Sequence, residues 1–503
     1  MKKIVLTGND LTIDEVWEVA VNGAKVEIAP EADARLEESR KIVYELVDKN
    51  FPVYGFNTGV GWNKDHKIDK SHFEKFNKSM IFSHSMGIKP EATEAEVRAI
   101  MLVRLNTLLC GHTGIQPAVA HHYAVMHNEG ISPVMYERGS VGEADIGLLS
   151  HIGLAMIGEG EVNYKGERMS SLAAHKKAGV ELVTLGPKDS LAIIDTNAFG
   201  AGEAALVLKD VKDLIKISDL VYAVSLEGFD GNTSPLDEEI MSIRKLPGQE
   251  ASAAEIRKYI EGSYIYDPDP QKAVQDPICF RSGAHINGAL RDAAEFAEKF
   301  LNIQMNSSDD NPCVLLGRRT ILSTSNYEVP TLAMAYEMLG LALSHLSRMS
   351  CYRMIKLDTP AFTHLSRFLC HDSDNGESHC FGAFQKAFTS LDTRIRHLSN
   401  PLTTDFMPLA GDIEDHASNL PLVTQKLAQM SDDLKYVYGM ELIHACQAID
   451  LRMRTNKKLK LGKATQKIWK EFRKGIKLYE SERPLAPDIQ KAYEFVKELG
   501  NLI

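Results

Sequence analysis

Cysteine is scarce and unpatterned in this chain. Seven residues, at positions 110, 279, 313, 351, 370, 380 and 446, make an odd count without the spacing of a disulfide framework. That usage excludes a small stapled domain and predicts a reducing, cytoplasmic home. Positive charge is also in short supply. With 57 Lys and Arg against 68 Asp and Glu, the formal net charge is −11, which argues against nucleic acid or an anionic membrane as partner, since both attract a basic face. No continuous apolar stretch follows Lys2 and Lys3, so no secretory signal is read there. No later stretch is expected to run long enough without charge to span a bilayer. Internal repeats, low-complexity tracts and Pro/Gly/Ser linkers are missing as well, which leaves one continuous body of chain.

What is present is ordinary globular material. At 503 residues, 44% hydrophobic and 25% charged, the chain can build a core without disulfide or metal staples. Lys3 to Thr7 reads as a short strand, and a helical pattern begins near Thr12. Residues 91–110 predict a helix with Thr93 and Glu96 as its capping box and Val97, Ile100, Met101, Arg104, Leu105 and Leu108 at helical spacing. Longer helical patterns cover Thr331–Met354 and Leu422–Met453, and helices of that length bury their stripes against one another in bundles. The expected architecture is mainly α: a smaller amino-terminal α+β region, residues 1–200, and a long helical bundle, residues 201–503. The basic run Asn456–Lys477 reads as a solvated helix face.

Four separated segments carry chemistry. Tyr54-Gly55-Phe56-Asn57-Thr58-Gly59-Val60-Gly61 has glycines that can hold the tyrosine at a loop tip; its spacing fails the dinucleotide pattern. Gly139-Ser140-Val141-Gly142-Glu143-Ala144-Asp145 leads into a helix near Ile146. Gln275-Asp276-Pro277-Ile278-Cys279-Phe280-Arg281 is the third, and Glu414-Asp415-His416, with Asn306–Pro312 upstream, the fourth. Cys370-His371 and His379-Cys380 bracket Asp372 to Ser378 and could be zinc ligands, but adjacent pairs do not follow finger spacing. His121, His122 and His127 lack the HExxH pattern, so no metal is assigned.

In this order, and together with Phe82-Ser83-His84, Gly158-Glu159-Gly160 and Leu191-Ala192-Ile193-Ile194-Asp195, the segments resemble the aromatic amino acid lyase family over nearly the whole chain. The resemblance implies that family's fold, a homotetramer with sites assembled from several subunits, and a small-molecule substrate. Ammonia-lyases of the family follow Gly-Ser-Val-Gly with Ala-Ser-Gly, which cyclises and dehydrates to an electrophilic methylidene-imidazolone. Here Glu143-Ala144-Asp145 follows Gly142, in a stretch one residue shorter. Ala144 has no hydroxyl to lose, and the ring-closing glycine is missing, so no such cofactor is expected. That electrophile works by bonding to the amine lone pair. A quaternary trimethylammonium has no lone pair and departs directly as neutral trimethylamine. The expected substrate is therefore an aromatic trimethylammonium betaine, such as that of 2-thiohistidine or of histidine; an inactive scaffold of the same fold is the alternative outside enzymology.

The resemblance also implies roles. Tyr54 is the general base for the substrate's β-proton. Because a free phenol titrates near 10, it needs a depressed pKa, and Lys64 is the candidate cation, the alternative being a lysine that points to water. Arg281 would bind the substrate carboxylate bidentately, or else form an ion pair with Asp276. Lys386 and Glu414 would read the thioimidazole ring, and His84 matches a family active-site histidine. Asp195 stands where an asparagine is usual and suits a cationic substrate. Glu143 and Asp145 either face the leaving cation or cap the helix near Ile146.

Overall fold

The computed structural model describes residues 2–49, 51–270, 272–371 and 379–502. Helix makes up 62% of it, so the fold is mainly α. Thr93 with Glu96 forms the expected reciprocal capping box, opening helix Glu94–Leu108, and Thr12 with Glu15 forms a second one, opening Ile13–Ala20. The two long patterns become helices Pro330–Leu357 and Leu420–Thr455. The basic run contains helix Lys463–Gly475, which buries Thr465, Ile468 and Phe472, pairs Arg473 with Asp450 and turns its lysines outward.

The chain separates into two compact units, each discontinuous in sequence. The first comprises Met1–Lys209, Ala297–Tyr336 and Pro401–Gln425, the second Asp210–Phe296, Glu337–Asn400 and Lys426–Ile503. Several boundaries fall inside helices, among them Ala198–Phe229, Gly283–Met305 and Leu420–Thr455.

The first unit holds every strand among the described residues, in four small sheets. Lys3–Leu6 pairs in parallel with Lys25–Ile28, and Ile131–Pro133, Glu161–Tyr164 and Glu167–Ser170 form an antiparallel meander. Helix Pro30–Asp48 lays Ile42, Val43, Leu46 and Val47 against Val53, Phe56 and Phe73. That contact anchors the tyrosine loop, because Val53 and Phe56, on either side of Tyr54, are 2% and 0% exposed. Helix Glu94–Leu108 is buried on almost every face from Ala99 onward, Arg104 included. A buried guanidinium needs partners, and Arg104 donates to the Ala192 carbonyl (3.0 Å) and contacts Asp309 (3.5 Å) and Asp310 (3.3 Å).

The second unit is helical. Its buried Glu441 accepts hydrogen bonds from Ser225 (2.6 Å) and from Arg353 (2.8 Å), so the charge is satisfied inside an otherwise apolar bundle. One sequence expectation needs correction. An 18-residue window within Asp189–Phe229 is long and apolar enough to cross a membrane, although 94% of it is buried within the protein, where its apolarity serves the core. All seven cysteines are free. The stretch 372–378, between the two Cys-His pairs, lies outside the described residues, and among the described residues no cluster of three metal-ligating side chains occurs.

Candidate active site

The first unit contains a cavity of about 560 Å³, open to solvent, and seven segments of its chain meet there. Tyr54 enters from its loop through a left-handed Gly55 (φ +64°). A Cβ on Gly55 would lie 2.2 Å from Leu191 Cδ2, so a side chain there would displace Leu191 besides straining the backbone. The Gly61 N–H donates to the Tyr54 phenol oxygen (2.8 Å), which fixes the ring and offers a partner to a phenolate. Met80 and His84 reach the cavity from one face of helix Phe73–His84, being four residues apart. His84 Nδ1 lies 2.8 Å from the Met80 carbonyl, which can only accept, so Nδ1 carries a proton and donates it there. Ser190 Oγ donates to the Asn77 carbonyl (2.7 Å), tying this helix to Asp189–Ile194, whose end presents Asp195.

The segment bearing Glu143 and Ala144 is clamped by residues 418–420. Ser418 Oγ donates to the Gly142 carbonyl (2.9 Å), and the Asn419 N–H donates to the Val141 carbonyl (2.7 Å). Ala144 is held at φ +51°, a strained conformation for a residue with a Cβ, and lines the cavity beside Glu143. Neither residue fits the methylidene-imidazolone of the ammonia-lyases: the cavity wall carries a methyl group at 144, and the next residue is an aspartate whose carboxylate is engaged elsewhere.

That aspartate, Asp145, is fully buried and is not a lining residue. It accepts from Ser140 Oγ (2.7 Å) and from the Gly200 N–H (3.0 Å), so its charge sits at the start of helix Ala198–Phe229. Although it occupies the N-cap position of Ile146–Met156, its side chain makes no cap bond there. Burial holds its carboxyl up at about 6.

The electrostatics of the cavity are acidic. Glu143 is pushed up to about 7, by burial first and then by Glu414, Glu328 and Asp415. Asp195, 5% exposed, is raised well above the carboxylate range by burial and by Asp310, in spite of Lys188. Glu414 is set by backbone pairing with Leu409 (N–H to O 2.7 Å and 3.4 Å) and lies close to Gly61. Behind Asp195, buried Lys188 is paired with Asp310. The Tyr54 phenol is consequently raised, by burial and by Asp195 and Glu414, the Gly61 N–H opposing.

This overturns the expectation of a phenol depressed by Lys64. Lys64 lines the cavity, but its ammonium is paired with Asp65 (3.1 Å) and more than half exposed, so solvent and a carboxylate claim its charge.

Of the other sequence candidates, Tyr54, Lys64, His84, Glu143, Ala144, Asp195 and Glu414 are brought together here, and Arg281 and Lys386 are not. Arg281, at the end of helix Ile278–Arg281 in the second unit, is hydrogen-bonded to Gln275 and lines a separate cavity with Asp276 and His285. Lys386 is exposed on helix Phe384–Leu398 of the same unit. The cavity also contains Asn311 and Tyr327, which sequence reasoning missed. Asn311 lay within a segment already marked; nothing local marks Tyr327, which follows a hairpin and belongs to no motif.

A family model described as aromatic amino acid lyase matches residues 11–474. A histidine ammonia-lyase of Treponema denticola is 34% identical over 100% of this chain and 98% of its own length, and one of Alkaliphilus metalliredigens 32% identical over 99% and 97%. Among solved structures, ergothionase from Treponema denticola, an ergothioneine-degrading enzyme in complex with desmethyl-ergothioneine sulfonic acid, is 44% identical with a TM-score of 0.96, and the match covers 100% of both chains. Histidine ammonia-lyase from Trypanosoma cruzi follows at 26% identity and a TM-score of 0.90, covering 99% of this chain and 94% of that one.

Proposed function

The chain belongs to the aromatic amino acid lyase family, and from that premise we propose that it eliminates trimethylamine from ergothioneine to give thiourocanate, with no methylidene-imidazolone. The observation that carries this reading is Ala144: a cavity wall without the hydroxyl that builds the electrophile, beside carboxylates suited to a cation. The 44% identity to an ergothionase supports the thioimidazole betaine as substrate; the more distant histidine ammonia-lyases share the fold and the lyase class.

In the proposed reaction the Tyr54 phenolate takes the β-proton. The C–H electrons form the new double bond, and the C–N bond breaks with its pair going to nitrogen, so trimethylamine leaves neutral. The phenol then returns its proton to solvent or to the freed amine. Asp195, Glu143 and Glu414 face the cationic nitrogen, whose charge favours their ionised forms over the neutral ones that burial favours, and so stabilise it before it leaves. The positive charge missing from Tyr54's surroundings is supplied by the substrate itself.

Arg281 and Lys386, which lie outside this cavity in one chain, take their proposed roles on the carboxylate and the ring from neighbouring copies in a homotetramer. Support for self-association comes from helix Pro330–Leu357, where Met338, Leu341 and Tyr352 are 43%, 47% and 48% exposed at helical spacing. Mixing inactive Tyr54→Phe and Arg281→Ala proteins, with dissociation and reassembly, should restore part of the activity; a mixture as dead as its components excludes a shared site.

The decisive experiment incubates the protein with ergothioneine, histidine betaine and histidine, and measures trimethylamine and ammonia. Trimethylamine from ergothioneine, lost in Tyr54→Phe with the fold retained, supports the reading. Trimethylamine from histidine betaine alone reassigns the substrate; ammonia from histidine, or no turnover of any of the three, refutes the proposal.

A further inference from the structure

Carboxylates attract any ammonium, so Asp195, Glu143 and Glu414 do not by themselves distinguish a trimethylated nitrogen from a primary one. A primary ammonium offers three N–H donors. A quaternary one offers none, and spreads its charge over methyl groups that are best covered by an apolar, electron-rich surface. An aromatic face is such a surface, attracting the cation through the ring quadrupole while removing the methyls from water.

Tyr327 lines the same cavity wall and is close enough to Asp195 and Glu143 to feel both charges. It is also rigidly held. Its carbonyl accepts from the Asn197 side chain. The turn that carries it is pinned by the Thr324 N–H on Asn311 Oδ1 (3.0 Å) and the Glu328 N–H on the Ser325 carbonyl (3.0 Å), with Val329 buried beneath. A ring whose position is fixed beforehand loses little freedom when a ligand lands on it.

Resting on the reading above, we propose that Tyr327 forms the aromatic wall of a quaternary-ammonium subsite completed by Asp195 and Glu143, and is the residue that selects a fully alkylated nitrogen. Charge comes from the acids, and preference for methyl groups comes from the ring.

The test uses the full chain, with tetramethylammonium and ammonium as probes, by titration calorimetry. The wild type should bind tetramethylammonium the more tightly. Tyr327→Phe should keep that preference, and Tyr327→Leu should weaken tetramethylammonium about tenfold, with ammonium unchanged. Equal weakening of both cations, no weakening of either, or no tetramethylammonium binding by the wild type overturns the proposal. Should the leucine protein not fold, phenylalanines carrying one, two and three ring fluorines at position 327 keep the shape and drain the π face. Affinity for tetramethylammonium should then fall stepwise, and a flat series overturns the proposal. Trimethylamine release by the wild type separates the two levels. Ring-dependent binding without turnover sinks the reaction and leaves the subsite standing. Turnover with binding indifferent to residue 327 does the reverse.

Discussion

A permanent positive charge seated beside Tyr54 should change the pH at which the proposed base becomes competent. Among the protein's own groups, burial, Asp195 and Glu414 raise the phenol and the Gly61 N–H opposes them. Facing it are Asp195 from the end of helix Asp189–Ile194, Glu414 and Tyr327 from their loops, Glu143 across the cavity, and Lys64, whose charge is shared with Asp65. A unit charge about 5 Å from the phenolate oxygen, at an effective dielectric of about 20, contributes about 3 kcal/mol, or about two pH units in the ionisation of the phenol. Since kcat/KM reports groups in the free enzyme and kcat those in the complex, the acidic limb of kcat should lie about two pH units below that of kcat/KM. Steady-state trimethylamine release across pH gives both limbs. Titrating phenolate absorbance with and without tetramethylammonium, and subtracting Tyr54→Phe, assigns the group. Coincident limbs, or a kcat limb at the higher pH, would refute substrate-supplied activation of the base.

Other expectations rest on single residues. Glu143 is neutral below about 7, so cation affinity should weaken as pH falls through that value and binding near it should release protons; Glu143→Gln should flatten both, as calorimetry in two buffers will report. Because its carboxyl titrates above the ordinary range, ionising it costs stability as pH rises, and the same variant should gain more in Tm at pH 8 than at pH 5. Gly142→Ala should lose roughly 2 kcal/mol or more in chemical denaturation, since the new Cβ would lie 2.6 Å from Ser418 Oγ and 2.8 Å from the Leu420 nitrogen at φ +75°. An unchanged midpoint would show that the clamp on residues 141–145 is loose. Lys188→Met leaves buried Asp310 with Arg104 (3.3 Å) but without its lysine and should cost up to about 3–5 kcal/mol; Lys188→Met with Asp310→Asn should recover part of the loss.

Much of this protein was legible before folding because the relevant physics is local or covalent. A capping box needs only residues three apart, so Thr93–Glu96 announced its helix. Whether a hydroxyl exists at 144 is a matter of residue identity, and no tertiary arrangement can supply one. The glycines around Tyr54 likewise foretold a loop tip, and Gly55 does adopt a left-handed φ. What the sequence could not contain was distance. Asp145 carries the same charge as Glu143 two residues away, yet one is sealed on the start of a helix and the other lines the cavity, because only packing decides which side of the backbone meets solvent. The sign of the shift on Tyr54 depended on residues 195 and 414 arriving close by while Lys64 stayed with Asp65. Tyr327, anonymous in the chain, acquires meaning only where the fold sets it beside Asp195 and Glu143. Chemistry that a side chain lacks is decided by sequence; the field a side chain feels is decided by tertiary structure, since Coulomb interactions follow separation in space and not separation along the backbone.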